Sequence, residues 1–224
     1  MSSVVFDIET LGFPIESFDE TRQEYLLKFA DTEEKRVAEL QKLNLYPLTA
    51  RIIAIGMLNP ETRSGKVFYQ SDVKETFSSD DGRVEFVSGD ERECLHRFWQ
   101  AIEKFDQFIT FNGRGFDCPF LMLRSAVVGE KPTRNLVPYR YDFTRHCDLL
   151  DQLTFYGAVR KFNLDFYCKS FGIKSPKSEG ITGLDLGPLF HAGRYREIAA
   201  YCLGDIIATA ELFNRWEEFL AIKE

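Results

Sequence analysis

Val4-Val5-Phe6-Asp7-Ile8-Glu9-Thr10 opens the chain with three apolar, β-prone residues that run straight into two carboxylates. In a strand, residues i and i+2 point to the same side. Asp7 and Glu9 therefore share one face, while Phe6 and Ile8 share the other. Two acids one pleat apart at a strand end offer oxygen ligands to a hard divalent cation. The plainer reading is a strand leaving the core for water, since carboxylates are mostly surface groups. What separates the two readings is whether later segments bring further ligands to the same place.

The bulk properties narrow the possibilities. A chain of 224 residues suits one domain, expected over 1–224 with a helical insertion at about 13–46. With 44% hydrophobic residues, 21 Phe and 9 Tyr, it can build a large core, which argues against intrinsic disorder. Met1 is not followed by a basic segment and a long apolar run, so no signal peptide is expected. No apolar stretch approaches the ~18 residues of a membrane span, so no membrane partner is expected. The five cysteines are scattered and form no C-x-x-C pair. That argues against zinc and for a reducing cytoplasm. The net charge of −7 counts against nucleic acid, but its distribution weakens the objection. Residues 1–106 carry a net −8, residues 107–200 a net +4 and residues 201–224 a net −3. A basic middle segment suits a polyanion-binding face, and ordinary mixed surface charge is the alternative.

Along the chain, strands are expected at about Ser3–Ile8, Arg51–Leu58, Lys66–Tyr69, Val84–Val87, Gln107–Phe111 and Arg145–Asp148. Phe18 to Leu45 reads as one charged helix or two short ones, with Asp19 as its cap. We take it as an insertion over one side of the sheet that walls or covers a site, or as an ordinary packing helix. Helices are expected from Glu91 to Phe105, Asp117 to Val128, Leu149 to Tyr156, Leu164 to Phe171 and Arg194 to Ile222. Strands alternating with helices around an early hairpin predict an α/β fold with a mixed sheet.

Three features can be laid beside Asp7 and Glu9. Asp117 follows the strand ending at Phe111, and ligand sites in βα units gather beyond the carboxyl ends of strands. The alternative for Asp117 is a routine helix N-cap. Tyr201 and Asp205 are spaced i, i+4 in an otherwise apolar helix, so they share a face. A carboxylate among Ile198, Ala199, Ile206 and Ile207 has to be paired or coordinated. A hydrogen-bonded Tyr–Asp pair without further role is the alternative. The loop holding Lys174 and Lys177 is either a phosphate contact or a solvated turn.

Taken together, Asp7-Ile8-Glu9, then Asn112 to Phe116-Asp117, then Tyr201-x-x-x-Asp205 form an ordered set. This set resembles the motifs of the DEDDy group of 3′–5′ exonucleases. Tyr-x-x-x-Asp marks the tyrosine subgroup; the histidine subgroup has His-x-x-x-x-Asp, and His191 is too far from Asp205. The chain looks most like stand-alone proteins related to the proofreading domain of family-B DNA polymerases. Pro47 to Gly56 and the lysine–glycine loop before Leu184 support this. The resemblance implies a ribonuclease H-like mixed sheet of five to six strands with flanking helices.

The resemblance also implies a mechanism. Two Mg²⁺ ions about 4 Å apart, with Mn²⁺ as a substitute, would be held by Asp7, Glu9, Asp117 and Asp205. Asp7 would bridge both ions, and Glu9 and Asp205 would complete the site of the attacking water. Asp117 would act at the second ion through water. Tyr201 would orient the nucleophile, since a phenol of pKa ~10 is a poor base at neutral pH. Thr10, Asn112 and Phe116 would shape the pocket for the 3′ end, with Arg114 and Lys177 at phosphates. The implied activity is metal-dependent release of nucleoside monophosphates from a 3′ end of nucleic acid, with single-stranded DNA as the expected substrate and DNA repair, proofreading in trans or degradation as the settings left open. The alternatives are an exoribonuclease that processes RNA 3′ ends or clears oligonucleotides, and a catalytically idle binding module.

Overall fold

The opening strand, β1 (Ser3–Gly12), lies inside a seven-stranded sheet. The computed structural model describes residues 2–175 and 180–221. β1 pairs antiparallel with β2 (Ala50–Leu58) on one side and parallel with β6 (Gln107–Thr110) on the other. Beyond β2 lie β3 (Gly65–Gln70), β5 (Val84–Gly89) and β4 (Thr76–Ser78). Beyond β6 lies β7 (His146–Asp148), so the order is β4-β5-β3-β2-β1-β6-β7. The fold is the α/β class with the mixed sheet expected from the sequence.

The sheet has one strand more than the expected five to six. β4 is three residues long, too short to show a period, and the Phe77 ring stacks on Phe86 at 4.7 Å to hold it. Val84–Val87, read as an edge strand, is therefore covered on its outer side.

The alternation in β1 sorts the core into two layers. Val4, Phe6 and Ile8 face α3 (Glu91–Ile102) and α4 (Asp117–Val128), where Phe98, Trp99 and Phe120 are fully buried. Burying each such aromatic contributes roughly 3 kcal/mol. Val5 faces the opposite layer, with Ile53, Ile206, Ala210 and Phe213. That layer is dominated by α8 (Tyr195–Phe219), which packs across β1, β2 and β3. Asp7 and Glu9 have the parity of Val5, so they point toward α8. A register shift between Glu9 and Thr10 ends the regular pairing with β2 just past the two acids.

The segment before β2 departs from expectation. It forms α1 (Glu20–Leu26) and α2 (Glu33–Lys42), capped by Asp19 and Thr32, but neither helix buries a residue. Tyr25 and Phe29 are each 79% exposed. The segment does not lie on the sheet. It is tied there by the buried Ile15 before α1 and by the turn at Leu43–Leu45, where Leu43 is buried and Asn44 accepts hydrogen bonds from Thr10 and Gly12. The apolar spacing Leu26, Phe29, Val37, Leu40 is spread over two short helices with a break between them, so no continuous stripe forms.

The remaining helices are α5 (Leu149–Leu153), α6 (Leu164–Ser170) and α7 (Leu186–His191). Among the described residues, no helix is long and apolar enough to cross a membrane. All five cysteines are buried free thiols.

Candidate active site

Asp7 and Glu9 sit on the α8 face of β1, one pleat apart. Glu9 is only 7% exposed, and its Oε1 is buried without a hydrogen-bond partner among the described residues. Asp7 is half-buried. Asp7 pairs in register with Gly56 of β2. A Cβ on Gly56 would stand 3.0 Å from both Cys202 Sγ and Ile206 Cγ2. The missing side chain lets α8 approach the sheet beside the two acids.

Asp117 is delivered by the parallel β1–β6 pair, as the βα geometry predicts. It is not a helix cap: the N-cap position of α4 belongs to Phe116, with no side-chain hydrogen bond. Asp117 Oδ1 instead accepts the backbone N–H of Ile8 at 3.0 Å, which aims the carboxyl at β1. It is 2% exposed. From α8 come Tyr201 and Asp205, which line one cleft with Asp7. Phe111, Asn163, Leu164 and Asp165 complete that cleft, whose volume is about 180 Å³.

Electrostatics show how closely the acids meet. Burial and then the carboxylates of Asp117, Glu9 and Asp205 push Asp7 well above the usual range. Glu9 is raised likewise, by burial and then by Asp205 and Asp117. Burial pushes Asp117 up to about 7, against the pull of the Ile8 N–H. Burial, followed by Asp205, Glu9 and Asp7, raises the Tyr201 phenol far above its ordinary value. Asp7, Glu9 and Asp117, each resisting ionisation beside Asp205, make a site that a bound cation would relieve.

Cys202 offers its sulfur within 4.8 Å of ligand atoms of Asp7 and Glu9. Burial and then the carboxylates of Glu9 and Asp7 hold that thiol well above its usual pKa, and a soft sulfur suits a hard cation less well than the carboxylates beside it. The donors that remain are oxygens. With the orphaned Glu9 Oε1, this set fits a hard cation such as Mg²⁺ or Mn²⁺.

The other residues singled out by sequence fall in varied places. The Thr10 hydroxyl donates to the Asn44 carbonyl at 2.7 Å. Asn112 adopts a left-handed φ of 62°, and its N–H donates to Asp148. Arg114 turns its guanidinium to the carbonyls of Pro138 and Tyr139, at 2.8 and 3.2 Å. Phe116 packs on Phe120 at the edge of the α3–α4 layer. Lys177 lies outside the described residues.

Sequence reasoning missed Asp148, which is 3% exposed and accepts the N–H groups of Asn112, Arg114 and Leu150 at 2.9, 2.9 and 3.0 Å. It holds the turn that leads to Asp117. It also missed Phe111 and Asn163, which reach the cleft from loops.

The family model described as "Predicted 3'-5' exonuclease related to the exonuclease domain of PolB" matches residues 46–221. The chain belongs to this family. The match contains Asp117, Tyr201 and Asp205, whereas β1 with Asp7 and Glu9 precedes it. No curated protein matches the chain. Among solved structures, a family B DNA polymerase from the hyperthermophilic archaeon Pyrobaculum calidifontis aligns with a TM-score of 0.62 at 19% identity. The alignment covers 97% of this chain and 25% of the polymerase. That likeness shows a shared fold, and this PolB-exonuclease relative spans about a quarter of the polymerase's length.

Proposed function

We propose that the chain is a single-domain, metal-dependent 3′–5′ exonuclease that releases nucleoside monophosphates from single-stranded DNA, acting in DNA repair in the cytoplasm. The observation that carries the reading is the convergence of Asp7, Glu9, Asp117 and Asp205 beside Tyr201, each raising the pKa of its neighbours.

These four carboxylates would hold two Mg²⁺ ions. Bound there, the ions would supply an activated water and offset the charge that builds on the phosphate. The protein's share of the chemistry is positional. Asp7 and Glu9 are fixed by the sheet, Asp117 by the Ile8 N–H, and Asp205 by α8. Tyr201 keeps its proton, since its phenol is raised rather than lowered. Its hydroxyl therefore orients the attacking water and is not the base that deprotonates it. The cleft between Phe111, Leu164 and Tyr201 is small, about 180 Å³. Such a size suits a free end better than the middle of a duplex. Thr10, Asn112 and Phe116 do not line this cleft, and they are assigned, with Arg114 and Lys177, to the strand beyond it.

The test is Asp205→Ala, assayed on end-labelled single-stranded DNA with Mg²⁺ or Mn²⁺. Loss of mononucleotide release by at least about 10³-fold is expected, and undiminished cleavage would refute the assignment.

A further inference from the structure

Two loops on the β7 side of the cleft carry aromatic rings in water. Residues 131–145 connect α4 to β7, and residues 154–163 connect α5 to α6. Tyr139 is 73% exposed, Tyr141 56% and Phe155 63%. The tyrosine rings are not scattered. Tyr139 meets Tyr141 at 5.6 Å, and Tyr141 meets Tyr156 at 4.7 Å. A contiguous exposed aromatic patch of this kind marks an interaction site in a water-soluble chain.

The loops are held rigidly in place. Arg140 is paired with the buried Asp151 at 2.9 and 2.6 Å. Phe143 packs edge-on against Trp216 at 5.8 Å. The Arg114 guanidinium clamps the carbonyls of Pro138 and Tyr139. Phe155 and Tyr156 have φ values of 49° and 58°, a left-handed backbone that side-chain-bearing residues rarely adopt. Two successive non-glycine residues held there indicate a conformation kept for use, because the chain has to over-determine it elsewhere.

Charge gives the occupant. Residues 131–163 contain six Lys and Arg against three Asp, in a protein whose net charge is −7. Asp148 and Asp151 are buried, which leaves Asp142 as the one partly exposed acid of the stretch, and it is ion-paired to Arg145 at 3.5 Å. Arg160 and Lys161 are exposed, and Arg160 lies over the Phe162 ring at 5.0 Å. Exposed rings interleaved with cations suit a polyanion whose monomers have flat faces. A duplex hides those faces, while a single strand presents them.

We propose that Tyr139, Tyr141 and Tyr156, flanked by Arg160 and Lys161, form a stacking platform for the single-stranded DNA that runs back from the active site. The proposal rests on the exonuclease reading for the identity of the strand. The path is short: Asn163, which lines the cleft, is seven residues beyond Tyr156, a span of at most ~24 Å. Bases several nucleotides upstream of the cleaved end stack on the rings, and the cations follow the backbone.

The experiment measures the affinity of 5′-fluorescein-labelled dT20 and dT4 by anisotropy in EDTA, with mononucleotide release by the wild type as a separate arm. The wild type is expected to bind dT20 far more tightly than dT4, which cannot extend along the platform. Tyr139→Ala/Tyr141→Ala is expected to weaken dT20 binding by about tenfold or more and leave dT4 affinity unchanged. Arg160→Glu/Lys161→Glu, which touches no ring of the Tyr cluster, is expected to weaken dT20 binding and flatten its salt dependence by about two counterions. Unchanged dT20 affinity in both variants overturns the platform and gives the surface to a protein partner. If the wild type releases no mononucleotide but the variants weaken dT20 binding, the platform stands and the exonuclease reading falls. If the wild type cleaves and both variants bind dT20 normally, the platform falls and the exonuclease reading stands.

Discussion

Asp117→Asn isolates the electrostatic strain that the site carries without metal. The amide keeps the shape of the carboxyl and can still accept the Ile8 N–H, which now bonds at 3.0 Å. Only the charge is removed. In the unfolded chain an aspartate titrates near 3.8, whereas burial pushes Asp117 up to about 7 in the folded chain. Folding therefore takes up a proton between these values. Stability from this group is complete below about pH 4 and is lost as pH rises to about 7. Three pKa units correspond to on the order of 4 kcal/mol. Above pH 7 in EDTA, Asp117→Asn should be more stable than the wild type by that order, a rise of about 10 °C in Tm. At pH 4 the two should coincide. Mg²⁺ should stabilise the wild type at pH 8 and do much less for the variant, by mass action on the folded state. Denaturant unfolding with EDTA or Mg²⁺ from pH 4 to 8.5 reads each term. A variant less stable than the wild type at pH 8 in EDTA, or a difference that ignores pH, would refute the reasoning.

Other substitutions probe the scaffold and the chemistry separately. Gly56→Val puts a side chain where a Cβ already comes within 3.0 Å of Cys202 and Ile206. It should cost about 1–3 kcal/mol in thermal unfolding and reduce turnover by displacing α8, with Gly56→Ala milder in both. Asp148→Asn replaces one of the acceptors for three backbone N–H groups with a donor. A loss of about 2 kcal/mol is expected, seen as a Tm lower by about 5 °C. Tyr201→Phe should lower kcat by about 10- to 100-fold with Tm and metal affinity unchanged, because it loses orientation of the water and not a ligand. Steady-state kinetics beside a metal titration separates those two outcomes.

The site could be assembled in the sequence where local geometry alone decides which way a side chain faces. The parity of a strand puts Asp7 with Glu9, and the i, i+4 spacing puts Tyr201 with Asp205; neither needs any knowledge of the rest of the chain. Asp117 was ambiguous, because an acid at the first turn of a helix reads equally as a cap. The tertiary bond to Ile8, 109 residues away, is what distinguishes it. Gly56 and Asp148 were invisible for the same reason. A glycine in a strand shows its purpose only once α8 lies on it. Asp148 shows its purpose only once its three N–H partners are in place. Thr10 was assigned to the pocket wall, yet its hydroxyl donates to Asn44, on a segment whose packing the helical period misjudged. β4 escaped because three residues hold no period, and its place depends on the Phe77–Phe86 stack.

The central claim is that Asp7, Glu9, Asp117 and Asp205 together form a seat for divalent cations. Crystals grown with Mn²⁺ and measured for anomalous scattering test it directly. The account predicts Mn²⁺ density in the cleft, coordinated by Asp7 with Glu9, Asp117 or Asp205, and its disappearance in Asp205→Ala. Mn²⁺ bound elsewhere, with the cleft empty in a protein that still releases mononucleotides, would contradict it.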